Sequence, residues 1–111
     1  MAQTAKVLGQ VAPNQNTDTV LYTAPAATRA VCSTLVICNQ AAVNATFRVW
    51  VAVAGAATSA PQYLAYDVTL SKNNLVTLTI GISLAPTDVV RVRHSGANGT
   101  VSFNLFGLEV T

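Results

Sequence analysis

The chain has 111 residues, 51% of them hydrophobic and only 9% charged, with a formal net charge of +2. That length fits one domain with a single core and leaves no room for two. The cations Lys6, Arg29, Arg48, Lys72, Arg91 and Arg93 are scattered, which argues against nucleic acid. No run reaches the ~18 apolar residues of a membrane span.

The dominant period along the chain is two, the mark of strands with one buried and one more polar face. The first strand is expected over Thr4–Val11 and ends at Pro13-Asn14-Gln15-Asn16; the second covers Thr19–Thr23 and stops before Ala24-Pro25-Ala26-Ala27. The third, Arg29–Asn39, is apolar on both sides, Val31, Leu35 and Ile37 against Cys32, Val36 and Cys38. A central strand covered on both faces reads that way. In the fourth, Asn44–Ala54, the residues Ala45, Phe47, Val49, Val51 and Val53 alternate with Thr46, Arg48, Trp50 and Ala52. A small-residue loop, Gly55 to Pro61, leads to a fifth strand over Gln62–Leu70. After the turn Ser71-Lys72-Asn73-Asn74 come Asn74–Gly81, then Asp88–Ser95 beyond Ala85-Pro86-Thr87-Asp88. The hairpin residues Asn98-Gly99, suited to positive φ, precede the last strand, Gly99–Val110. No segment keeps a 3.6-residue period, so essentially no helix is expected. The predicted fold is all-β: a single antiparallel β-sandwich over residues 1–111, jelly-roll-like, with about eight strands.

The inventory for chemistry is thin. The acids are Asp18, Asp67, Asp88 and Glu109, and the one histidine is His94. Asp18 and Asp88 fall at turns, where a side-chain oxygen ordinarily bonds local backbone. Asp67 falls on the polar face of its strand, and His94 is expected to end a strand at the surface. Cys32 and Cys38 lie six residues apart in one extended strand, roughly 20 Å, too far for a disulfide with each other. Buried free thiols are the ordinary reading, and an intermolecular disulfide is the sharper one. Neither a metal-ligand set nor a phosphate-cradling loop nor a nucleophile motif is present. The expectation is therefore no catalytic residue, no cofactor and no metal: not an enzyme.

The deficit of charge carries more information, since an ordinary soluble domain is about 25% charged. Burying unpaired charge is what penalises association most, so a weakly charged surface is easy to cover. Candidate interface residues are Lys6, Trp50, Tyr63, Arg91 and Arg93. Trp50 and Tyr63 are contact residues if their strand faces point outward and core if those faces are covered; the alternation leaves both open. Arg91 and Arg93 alternate with Val90 and Val92, so they share one face, suited to an acidic partner or to solvent. The N-terminal segment, Met1 to Val11, is a candidate for engagement with a neighbouring subunit. Its first residues, Met1-Ala2-Gln3-Thr4-Ala5-Lys6, do not read as a signal peptide, so synthesis in a cytoplasm is expected.

Several stretches give the chain a recognisable character: Leu21 to Val31, Leu35-Val36-Ile37-Cys38-Asn39, Phe47-Arg48-Val49, Ile80 to Ala85, Asp88 to Val92 and Ser102 to Glu109. In these the chain resembles small all-β virion structural proteins of tailed bacteriophages. The resemblance implies a non-enzymatic virion component present in many copies, a homo-oligomer with a trimer favoured. Its partners would be the major capsid protein or other virion proteins. The expected role is a capsid decoration (cement) protein. The alternatives are a tail, neck or baseplate/fibre-associated protein, and a carbohydrate- or host-surface-binding β-sandwich using Trp50 and Tyr63.

Overall fold

Each alternating run becomes a strand in the computed structural model, which describes residues 2–111: β1 (Gln3–Val11), β2 (Thr19–Thr23), β3 (Arg29–Asn39), β4 (Ala45–Ala52), β5 (Tyr63–Leu70), β6 (Leu75–Leu84), β7 (Val89–His94) and β8 (Val101–Val110). They form two four-stranded antiparallel sheets, in the orders β1-β8-β3-β6 and β2-β7-β4-β5. First strand pairs with last, β2 with β7, β3 with β6 and β4 with β5. A long hairpin, β1–β4 laid against β5–β8 and then wrapped into two layers, produces that order. It is the jelly roll.

The core lies between the sheets. Leu35, Ile37, Phe103 and Leu105 of the first sheet meet Phe47, Val49, Val90 and Val92 of the second, all excluded from solvent. The register explains how one sheet serves both bulky and small residues. Leu8 in β1, Ser33 in β3 and the pair Ile80-Gly81 in β6 fall out of the pairing at one level of the sheet. Extra residues at a common level bend and twist a sheet without breaking its alternation on either side. The break at Ser33 also swaps the parity of β3: Ala30 and Cys32 point inward before it, Leu35 and Ile37 after it.

That swap decides the fate of the thiols. Both cysteines are free, Cys32 in the core and Cys38 half-buried on the outer side. Burial pushes the Cys32 thiol up to about 11.

Four expectations require correction. Strand β3 is central, but its outer side is not covered, since Val31 is exposed and Val36 and Cys38 only half-buried. Strand β4 ends at Ala52, where the chain turns into a short 3₁₀ segment, Val53–Gly55, with Ala54 at φ +53°. A second such turn, Ala60–Gln62, begins with Pro61 in its first residues. Strand β6 does not stop at Gly81 but passes through it, at φ +54°, and continues to Leu84. Finally, His94 is not at the surface: it is 1% exposed. Its Nδ1 accepts the Gly96 N–H at 3.1 Å, which leaves Nε2–H to donate to the Pro13 carbonyl at 2.7 Å.

The two chain ends lie side by side. Ala2 and Thr111 exchange backbone hydrogen bonds of 3.1 and 2.9 Å, so β1 completes this chain's own sheet; Met1 lies outside the described residues.

Candidate functional site: the two outer sheet faces

The outward side of β2-β7-β4-β5 gathers half of the charged residues, Arg48, Arg91, Arg93, Asp18 and Asp67. Arg48 and Arg93 are directly opposed across β4 and β7, an unfavourable juxtaposition unless each is neutralised. Each is. Arg48 grips Asp67 with two bonds, Nε to Oδ1 at 2.7 Å and Nη2 to Oδ2 at 3.2 Å, while Arg93 Nη1 meets Asp18 Oδ1 at 3.1 Å. The result is a row Asp18–Arg93–Arg48–Asp67 across the sheet. Hydrogen bonding to Arg48 holds the Asp67 carboxyl below the usual range and raises the guanidinium in turn. Asp18 is therefore an ion-pair partner and not a turn-forming side chain. Asp88 does fill the turn role, accepting the Ala54 and Ala85 N–H groups.

A bulge in β5 builds the aromatic end of this face. Ala65 pairs with Val49 and Val68 with Phe47, so Tyr66 and Asp67 together oppose the single residue Arg48. Consecutive side chains thus both reach the guanidinium: Asp67 by its carboxylate, Tyr66 by its ring, 4.1 Å from Cζ. Tyr63 stands edge-on to Tyr66 at 4.9 Å and tilted against Trp50 at 5.1 Å. Trp50 itself is fully buried beneath the 53–62 loop, its Nε1–H donating to Thr58 Oγ1 at 3.1 Å. As a surface anchor Trp50 is ruled out; it supports the loop from below. Arg91 fixes the same loop, donating to the Ala56 and Gly55 carbonyls at 2.7 and 3.2 Å.

The outward side of β1-β8-β3-β6 is chemically different. Register and alternation place Ala5, Val7, Val31, Val36, Phe106, Leu108 and Val110 on it, beside Thr34, Thr77, Thr79, Ser83, Asn104 and Gln10. Among the described residues its only charge is Arg29, at one end. Val7 and Val31 are 45% and 39% exposed, and Val7, Val31, Phe106 and Leu108 line one shallow apolar groove.

Lys6 borders that groove with its charge already paired. It lies at the mouth between the sheets, 3.1 Å from Glu109 Oε1, while Glu109 Oε2 accepts the Tyr22 hydroxyl at 2.6 Å. Those two bonds lower the Glu109 carboxyl, and burial with the Glu109 contact raises the Tyr22 hydroxyl. The cluster ties β1 and β8 of one sheet to β2 of the other.

Of the residues expected at an interface, the fold thus gathers Trp50, Tyr63, Arg91 and Arg93 on one sheet face and leaves Lys6 apart. Tyr66, Arg48 and Asp67 join them, and the apolar outer face of the opposite sheet is additional. Among the described residues no group of three or more His, Cys, Asp or Glu side chains is placed to hold a metal. Every buried side-chain polar atom among them already has a partner. Among the described residues no helix is long and apolar enough to cross a membrane.

No family model matches the chain, and no curated protein matches it. In fold it is similar to a chain in the structure of infectious bursal disease virus, Gx strain, with a TM-score of 0.50 and 11% identity. The likeness takes in 97% of this chain but 31% of the other, so this chain spans about a third of that chain's length. At this identity the likeness is one of fold.

Proposed function

We propose that the protein is a non-enzymatic structural component of a virion, most specifically a capsid decoration (cement) protein. The observation that carries the reading is the uneven placement of charge. Covering the outer face of β1-β8-β3-β6 would meet Arg29 at one margin and Lys6, already paired with Glu109, at the groove edge, and otherwise only apolar and uncharged polar groups. That avoids the desolvation cost that opposes association elsewhere on the molecule. Apolar area removed from water contributes about 25 cal/mol per Å², and repetition around a closed lattice multiplies modest contacts into avidity. The resemblance to phage virion proteins and the fold shared with a chain from a virus structure support this setting. The occupant of the face is the major capsid protein or a sister subunit of a homo-oligomer, a trimer by preference.

Removing Met1 to Val11 is a poor test, because it takes a strand from the chain's own sheet. The double substitution Val7→Asp with Val31→Asp leaves the core alone and puts two charges on the face. Quantitative protein counting on purified particles should then show loss of the variant, and alkylation of Cys38, on the same face, should be blocked on particles carrying the wild type. Undiminished occupancy of the double variant would overturn the assignment of this face. The wild-type count also places the protein: on the order of hundreds per particle for the head, about a dozen or fewer for a tail or neck ring.

A further inference from the structure

Beyond a structural role, we propose that the groove beside Tyr66, lined by Thr58, Ser59, Ala60 and Tyr63, binds a neutral pyranose ring of a glycan. The first ground is the effort spent on its wall. The loop from Val53 to Gln62 contributes no buried residue, yet it is fixed from every side. Trp50 holds Thr58, and Arg91 holds Gly55 and Ala56. The Ser59 N–H donates to Gln62 Oε1 at 3.1 Å, the Gln62 N–H to the Ser59 carbonyl at 3.2 Å, and Gln62 Nε2–H to the Ala57 carbonyl at 2.9 Å. The restraint keeps Trp50 covered, and it also fixes the wall of an open groove, so that a weak ligand would pay no ordering cost there.

The second ground is the chemistry presented. Tyr66 is 57% exposed although Arg48 covers part of its ring, so an aromatic surface is offered to solvent at the groove floor. A flat apolar ring surface suits the C–H face of a pyranose as it suits other amphipathic partners. The Thr58 hydroxyl already accepts from Trp50 Nε1–H, which leaves its O–H proton free to donate, and the Ser59 hydroxyl supplies a second donor. Sugar hydroxyls accept such bonds. The third ground selects charge: the cation nearest the groove, Arg48, is neutralised by its two bonds to Asp67, so the groove offers a charged sugar no counter-ion.

The experiment is a ¹⁵N–¹H NMR titration of the full chain with the methyl glycosides of glucose, galactose, mannose and N-acetylglucosamine, and with sialic acid. Each is taken to roughly 50 mM, enough to fill a site with a Kd on the order of a few millimolar. At least one neutral sugar should shift the amides of Thr58, Ser59, Ala60, Tyr63 and Tyr66. Tyr66→Ala should abolish those shifts, while Tyr66→Phe, which keeps the ring, should retain them. Since Tyr66 is a surface residue, both variants should fold. Silence from every neutral sugar, shifts unaffected by Tyr66→Ala, or binding of sialic acid alone would overturn the proposal, whatever the particle-binding result.

Discussion

The two outer faces of the sandwich are made from strands of similar length and the same alternation, yet they treat charge in opposite ways. On β2-β7-β4-β5, Arg48, Arg91 and Arg93 are all committed, to Asp67, to loop carbonyls and to Asp18. On β1-β8-β3-β6, Arg29 stands alone at one end of an apolar and hydroxyl-bearing surface. The 9% of charged residues is thus an average over two unlike surfaces. The lesson is that low overall charge matters less than where the charge is spent. One face has its cations satisfied internally and has none free for an acidic partner, while the other can be dehydrated cheaply.

The comparison is tested most severely at Trp50. Its ring is completely buried, but on the outward side of its sheet, beneath a loop rather than in the main core. Trp50→Ala should cost about 3–5 kcal/mol in urea unfolding, through lost burial, an unfilled cavity and release of Thr58. The outward aromatic of the other sheet, Phe106, is half-buried with no loop over it. Phe106→Ala should cost only about 1 kcal/mol. Equal costs would mean that the uncovered face is in fact packed, and the contrast would collapse.

Much of this fold is legible in the sequence, for a physical reason. A buried sheet face forces period two, and all eight strands follow from it, β2 and β3 with their full bounds. What alternation hides is the bulge. Gly81 reads as a strand end because its left-handed φ is also a turn conformation, but within β6 it accommodates the extra residue opposite Ser33. The same blindness hides the aromatic groove: strict alternation puts Tyr66 on the opposite side from Tyr63, and the irregularity at Leu64, left out between the Trp50–Tyr63 and Val49–Ala65 pairs, brings the two rings together. The burial of His94 is hidden for another reason. A lone polar residue at a strand end reads as surface, and nothing in the sequence reveals that Pro13 and Gly96 satisfy both ring nitrogens. Which outer face is uncharged depends on the strand order, which periodicity does not contain.

A smaller effect is expected where the sheets are tied together. The Glu109 carboxyl lies below its usual range because the Tyr22 hydroxyl and Lys6 both bond its charged form. A depressed carboxylate contributes stability that is fully present above the unfolded pKa of about 4.3 and is lost as pH falls through the lower folded value. Tyr22 is shifted upward, so its hydroxyl stays a donor throughout that window. Glu109→Gln should therefore lower stability by about 1 kcal/mol at neutral pH, with the difference closing as pH drops below about 4. Parallel wild-type and variant curves across that range would show that the bridge between the sheets carries no charge-dependent stability.

The smallest effect belongs to the charged row itself. Arg93 and Asp18 are bonded by one contact of 3.1 Å, with side chains 31% and 48% exposed. Water screens such a pair, and ordering two side chains offsets part of the attraction, so Arg93→Ala should change stability by ~0.5 kcal/mol or less. The sign is set by the neighbour. Arg93 is directly opposed to Arg48, and removing it relieves a like-charge contact at the same time as it frees Asp18. Comparing Arg93→Ala with Asp18→Asn separates the two contributions. The asparagine variant loses the neutralising charge while the opposed arginines remain, so it should be the less stable of the two, and added salt should narrow the gap. If Arg93→Ala proves the more damaging variant at every salt concentration, the row is held by packing of the arginine stem. The face would then owe its closure to contact rather than to paired charge.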